Sequence, residues 1–161
     1  MKMMTFLAGL AIAAGPALAA PLTDTHDSAK AVGDMFARSI DVDLDGMISR
    51  RELIDFGDQV FVSVDQDGDG MIVLEELQTW QFGLADLAEF RGRDQAYLTS
   101  MAIVFDVMDR NNDQTVSSSE YERATLVSAD YANVNGDDLL TREEYLQGYI
   151  FNIAMRNAFQ S

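Results

Sequence analysis

The sequence predicts an all-α fold: a helical bundle with four acidic loops, joined in pairs by short β bridges, loop 2 with loop 3 and loop 1 with loop 4. Three observations lead there. Four twelve-residue segments follow one template of alternating oxygen-bearing side chains. The segments beside them carry apolar residues at helical period. The interval inside each half of the chain holds one helix, where neighbouring loops would need two in order to pair with each other.

The loops come first in the argument. Residues 41–52 read DVDLDGMISRRE, 65–76 read DQDGDGMIVLEE, 109–120 read DRNNDQTVSSSE and 133–144 read NVNGDDLLTREE. This is the EF-hand loop pattern. A hard cation of calcium's size takes six to eight oxygens, and positions 1, 3 and 5 of a tight loop can all turn inward, while a glutamate at position 12 offers two oxygens at once. The candidate ligands are therefore Asp41, Asp43, Asp45 and Glu52 in loop 1, and Asp65, Asp67, Asp69 and Glu76 in loop 2. Loop 3 offers Asp109, Asn111, Asp113 and Glu120; loop 4 offers Asn133, Asn135, Asp137 and Glu144. Position 7 gives a backbone carbonyl, so its identity is free: Met47, Met71, Thr115 and Leu139. At position 9, Ser49 can bind directly or hold a water, whereas Val73 leaves that place to water. Position 6 calls for positive φ, which Gly46 and Gly70 adopt without strain and Gln114 and Asp138 do not. Position 8 is apolar throughout, as Ile48, Ile72, Val116 and Leu140, which suits a short strand linking two loops back to back.

Helices flank these loops in order. Val32, Phe36 and Ile40 recur every four residues before loop 1. Only twelve residues lie between Glu52 and Asp65, and they include Leu53, Phe56, Val60, Phe61 and Val64, so one helix over residues 50–64 leads out of loop 1 and into loop 2. At 1.5 Å per residue it spans roughly 22 Å, which puts its two loops at opposite ends. Leu77, Trp80, Leu84 and Leu87 follow loop 2; a turn at Arg91-Gly92-Arg93-Asp94 comes next; Met101, Val104, Phe105 and Met108 precede loop 3. Residues 121–132 form the second shared helix, whose inner positions Ala124, Ser128, Ala129 and Ala132 predict loose packing. Leu146, Tyr149, Ile150 and Ile153 follow loop 4. Loop starts are 24 residues apart within each half and 68 between halves, the mark of an internal duplication.

Composition sets the surroundings. Residues 1–19 have Lys2 as their only charge, an apolar run from Met3, and Ala17-Leu18-Ala19 before the favoured cut, which predicts a cleaved signal peptide over a membrane anchor. A flexible tail, 20–29, and a four-loop domain, 30–161, follow. Removing Lys2 moves the formal charge from −16 to −17, which argues against nucleic acid as a partner. The chain has no cysteine and so asks nothing of the redox state of its compartment; export without cysteine suits a bacterial periplasm. Metal ions are the expected partners, no membrane span remains after cleavage, and a periplasmic protein partner stays open.

The twelve-residue interval, the four loops and the signal segment together resemble lanmodulin, the periplasmic lanthanide-binding EF-hand family of methylotrophic bacteria. That resemblance implies lanthanide ions as an alternative cargo. The family has proline at position 2 and aspartate at position 9; this chain has Val42, Gln66, Arg110 and Val134, then Ser49, Val73, Ser117 and Thr141. Without the extra carboxylate, Ca2+ is the expected ion.

Carboxylate count orders the sites. Loops 1 and 2 bind most tightly, loop 3 more weakly because of Asn111 and Gln114, and loop 4 most weakly because Asn133 and Asn135 replace two acids. His26, the single histidine, is read as a tail residue, Trp80 as core, and Met35, Met101 and Met108 as core filler ahead of a sensor groove. Nearly every clustered acid belongs to a loop, and there is no serine elbow, phosphate loop or zinc motif, so the chain is read as a calcium sensor or buffer and as no enzyme.

Overall fold

The computed structural model describes residues 25–80, 82 and 84–159; the expected signal peptide and the first part of the expected tail lie outside them. The elements run α1 (Thr25–Ile40), β1 (Met47–Ser49), α2 (Arg50–Val64), β2 (Met71–Ile72), α3 (Leu74–Thr79), α4 (Leu84–Phe90), α5 (Asp94–Met108), β3 (Val116–Ser117), α6 (Ser118–Ala132), β4 (Leu139–Thr141), α7 (Arg142–Gly148) and α8 (Ile150–Phe159). Helix α1 starts inside the stretch expected as tail.

The single helices α2 and α6 run from one loop to the next, as the short intervals require. Their loops therefore sit at opposite ends, and the strands pair across the halves: β1 with β4 and β2 with β3, both antiparallel. The registers set Ile48 opposite Leu140 and Ile72 opposite Val116. All four position-8 side chains are no more than 2% exposed. Each such burial contributes about 1.5–3 kcal/mol, which explains why the position is apolar even in loops with weak ligand sets.

One apolar core runs between the two strand pairs, and α2 packs against α6, α5 against α8, and α1 against α8 and α7. Trp80 is core: its ring stacks near Phe36 and Phe82, and its Nε1 donates to Ser63 Oγ at 3.1 Å. Met101 and Met108 are buried, but Met35 is 45% exposed, which corrects its place in the core. The helices leaving loops 2 and 4 are each broken rather than continuous. Trp80 and Tyr149 are extended, with ψ of 121° and 130°, and end α3 and α7. At the second break Gly148 lies against α6; a Cβ there would stand 2.6 Å from Ala132 Cα. The small residues of α6 thus admit close backbone approach at one end, while Ala124, Thr125 and Ser128 leave space further along. No described helix is long and apolar enough to cross a membrane.

Candidate metal centre

Each loop begins where a helix ends. The position-1 amide still closes a helical turn, donating from Asp41 to Ala37 O, Asp65 to Phe61 O, Asp109 to Phe105 O and Asn133 to Ala129 O at 2.8–3.1 Å. From there the acids of positions 1, 3 and 5 fold the backbone around themselves. The position-5 amide donates to position 3 (Asp45 to Asp43 Oδ1, 3.2 Å; Asp69 to Asp67 Oδ1, 3.1 Å), and the position-7 amide donates to position 5 (Met47 to Asp45 Oδ1 and Met71 to Asp69 Oδ1, both 2.8 Å). Thr115 to Asp113 and Leu139 to Asp137 repeat the second of these bonds. The position-6 amide donates to the first acid: Gly46 to Asp41 Oδ2, Gly70 to Asp65 Oδ2 and Gln114 to Asp109 Oδ2, at 2.9–3.1 Å. Loop 4 uses a different bond, because Asn133 has one acceptor oxygen where an aspartate has two. Its Oδ1 takes the Gly136 amide at 3.0 Å.

The closing glutamates act as straps. Glu52 Oε1 accepts from the Val42 amide at 2.9 Å, and Oε2 accepts from the Ser49 amide and hydroxyl at 2.9 and 2.8 Å. Glu76 accepts from the Gln66 and Val73 amides alone, and Glu120 accepts from the Arg110 amide and from the Ser117 amide and hydroxyl. Glu144 takes the Thr141 amide and hydroxyl. Ser49, expected as ligand or water-holder, is placed as the N-cap of α2; Ser117 and Thr141 cap α6 and α7 in the same way. Burial pushes the Glu52 carboxyl up, but the Ser49, Val42 and Asp43 hydrogen bonds outweigh it and hold the group below the ordinary value. Bonds from Ser117 lower Glu120, and bonds from Thr141 lower Glu144. The Thr115 hydroxyl, the Asn111 amide and the Thr115 amide lower Asp113. These acids are anionic at neutral pH, and the same hydrogen bonds fix their orientation.

Carboxylates converge at two loops. One oxygen each from Asp41, Asp43 and Asp45 lie within 4.8 Å of one another, and so do those of Asp65, Asp67 and Glu76. Three anions at that spacing repel unless a cation sits among them. Asp41 Oδ1 sharpens the point, because it is buried and accepts no hydrogen bond from the protein. Leaving such an oxygen unpaired costs about 1–3 kcal/mol, so a hard cation that takes oxygen ligands fits the site. The asparagines of loops 3 and 4 instead turn amide hydrogens inward, Asn111 Nδ2 to Asp113 Oδ2 at 2.8 Å and Asn135 Nδ2 to Asp137 Oδ2 at 3.1 Å, and so engage oxygens a cation would use.

Residues 58–82, which span the second half of α2, loop 2 and α3, match the family described as EF hand. That stretch is an EF hand. No curated protein matches the chain. The matched stretch contains loop 2, one of the two loops with acids at positions 1, 3, 5 and 12, and the surrounding all-α architecture with its two antiparallel strand pairs is that of the EF-hand fold.

Two features of the site lie beyond the ligand pattern. Position 4 also needs positive φ: Leu44 has 61°, Gly68 73°, Asn112 58° and Gly136 74°. Glycine and asparagine accept this, but a leucine there costs roughly 1–2 kcal/mol. Position 6 behaves as expected, with Gly46 and Gly70 at 85°, Gln114 at 70° and Asp138 at 65°. Loop 2 alone among the four has glycine at both positions, which makes it the least strained. The second feature is Arg50, whose guanidinium bonds to Asp130 and stands 3.8 Å from Asp138 in loop 4. Glycine preference at position 4 was readable from loops 2 and 4; nothing in the sequence links Arg50 to a loop 88 residues further on.

Proposed function

We propose that this EF-hand protein binds calcium in the periplasm as a sensor or a buffer, with loops 1 and 2 as its tight sites, loop 3 weaker and loop 4 weakest. The observation that carries the reading is the convergence of three carboxylates at loops 1 and 2, together with the buried Asp41 Oδ1 that has no protein donor. Leu44 sets loop 1 below loop 2 in this order. The EF hand is a binding fold, and the acids here are committed to loop hydrogen bonds, which supports a role without catalysis. The signal segment at residues 1–19 supports export.

Isothermal titration with calcium, magnesium and lanthanum tests the reading. Calcium is expected to titrate at least the two tight loops, with magnesium weaker because it resists dehydration and demands a rigid octahedron. Absence of calcium heat and of any spectral change would reject it. The shared helices α2 and α6 favour one second reading, lanmodulin-like lanthanide binding; lanthanum held orders of magnitude more tightly than calcium would establish it. An apolar fluorescent dye separates sensor from buffer, since only a sensor gains dye-binding surface on adding calcium.

A further inference from the structure

We propose that Asn135 is a modification site: its side chain loses the amide without an enzyme, and the aspartyl form so made turns loop 4 from the weakest loop into a calcium site. The second half rests on the metal-binding reading above. Of the asparagines in the chain, Asn135 alone precedes a glycine. Asn133 precedes Val134, and Asn111 and Asn112 precede residues that also carry a Cβ. The missing Cβ matters because deamidation begins when the next residue's backbone nitrogen attacks the asparagine Cγ, and a side chain on that residue crowds the approach. Gly136 has φ of 74°, with nothing within 4 Å of the place its Cβ would take. Residues 134–138 are all exposed, so water and hydroxide reach the bond.

The reaction balances with water alone. The Gly136 nitrogen gives its proton to solvent base and bonds to Asn135 Cγ; the Cγ–Nδ2 bond breaks, the departing nitrogen takes up a proton and leaves as ammonia, and a cyclic imide remains. Water then opens the imide. Cleavage between the nitrogen and Cγ restores the backbone and leaves a side-chain carboxylate, whereas cleavage at the main-chain carbonyl routes the backbone through the side chain. Asp137 assists the first step at both ends. Its amide donates to Asn135 Oδ1 at 2.9 Å, which stabilises the negative oxygen that forms on attack, and its Oδ2 accepts from Nδ2 at 3.1 Å, so the departing nitrogen gains its proton beside a carboxylate. The brake is the Gly136 amide hydrogen, which Asn133 Oδ1 holds at 3.0 Å and must release first.

The aspartyl form fits the loop as it stands. Position 3 of loops 1 and 2 is Asp43 and Asp67, and each accepts the position-5 amide just as Asn135 does. What changes is the second atom. Nδ2 attracts Asp137 Oδ2, but an oxygen in its place faces that carboxylate with like charge, and a cation between them relieves the repulsion. The latch thereby becomes a pair of ligands. Acids at ligand positions rise from Asp137 and Glu144 to three, the number that loop 3 has in Asp109, Asp113 and Glu120, and site charge tunes calcium affinity. The other product lengthens the backbone inside the loop, breaks the alternation of positions 3 and 5, and gains no site.

Mass spectrometry of peptides from the full chain, aged in chelator at mildly alkaline pH, locates the modification. Asn135 is expected to convert first, with Asn111, Asn112 and Asn133 still amides at that time, and Asn135→Gln should end the conversion in this peptide. Asn135 still an amide when another asparagine has converted, or when the urea-unfolded chain has converted at Asn135, would overturn the site. The consequence is read by calcium titration of Asn135→Asp beside the unaged chain, with the Asp138 amide reporting loop 4 and the Gly70 amide reporting loop 2. The Asp138 midpoint is expected to fall by about ten-fold while Gly70 keeps its own. An unmoved Asp138 midpoint, with Gly70 titrating normally, would overturn the gain of a site. Conversion at Asn135 in a chain whose four loops all ignore calcium would leave the modification standing and reject the metal reading instead.

Discussion

The two ends of the bundle are built from the same motif and held together differently. Where loops 1 and 4 meet, the position-10 residues are arginines that reach across the pair. Arg50 of loop 1 bonds to Asp130 on α6, the helix leading into loop 4, and Arg142 of loop 4 bonds to Asp34 on α1, the helix leading into loop 1, with Nη2–Oδ1 at 2.7 Å. Where loops 2 and 3 meet, position 10 is Leu74 and Ser118, and no such brace exists among the described residues. That end relies on the β2–β3 pair and on a Gln78 side-chain bond to Leu98 O at 3.3 Å. The contrast teaches that a degenerate loop can keep its structural role. Loop 4 has lost acids at positions 1 and 3, but Arg50 and Arg142 tie its end together across the pair, a brace that the end with loop 2 lacks among the described residues.

Removing metal should separate the ends most strongly. In chelator the loop 2 and loop 3 end is expected to lose order first, seen as reduced helical circular dichroism that calcium restores, and as faster amide exchange in β2 and β3 than in β1 and β4. Unchanged helicity in chelator, or uniform exchange at both ends, would break the comparison. Next in size is Glu76→Gln, which removes a strap and a ligand together and should weaken the tightest calcium step by about ten-fold or more. The matching Glu144→Gln should leave the tight steps within about two-fold. Leu44→Gly relieves the left-handed backbone of loop 1 and should strengthen its site by about five-fold, from roughly 1 kcal/mol of strain. Arg50→Gln should lower the apo stability by about 0.2–1 kcal/mol, since the pair is partly exposed, while leaving β2 and β3 exchange unchanged. The smallest effect is expected from acid. Glu52, Glu120 and Glu144 are held below their ordinary value of 4.5, so their contribution is complete above that pH and is lost as pH falls through the lowered folded values. An acid titration of the metal-free chain should show this loss below about pH 4.5; stability that rises on acidification there would contradict the straps.

Much of this was legible in the sequence for geometric reasons. Ligand chemistry fixes the spacing of Asp65, Asp67, Asp69 and Glu76, and the twelve residues after Glu52 leave room for α2 alone, so the crossed pairing of loops follows from chain length. Other features depend on contacts that spacing does not encode. The break at Tyr149 follows Gly148, which lies against Ala132, and the break at Trp80 sets its ring beside Phe36 and Phe82. Met35 shares a helix with Phe36 but faces solvent. The Arg50 and Arg142 braces join residues 80 and 108 positions apart. Leu44 reads as an ordinary filler in the motif, and only its backbone angle reveals the strain.

The most direct test of the central claim is an amide NMR titration with calcium that follows the four position-6 residues, Gly46, Gly70, Gln114 and Asp138. The first three donate to the acid at position 1, so each reports its own loop. Gly70 is expected to saturate first and Gly46 next, with Gln114 later and Asp138 last. Asp138 moving ahead of Gly70, or none of the four moving, would contradict it.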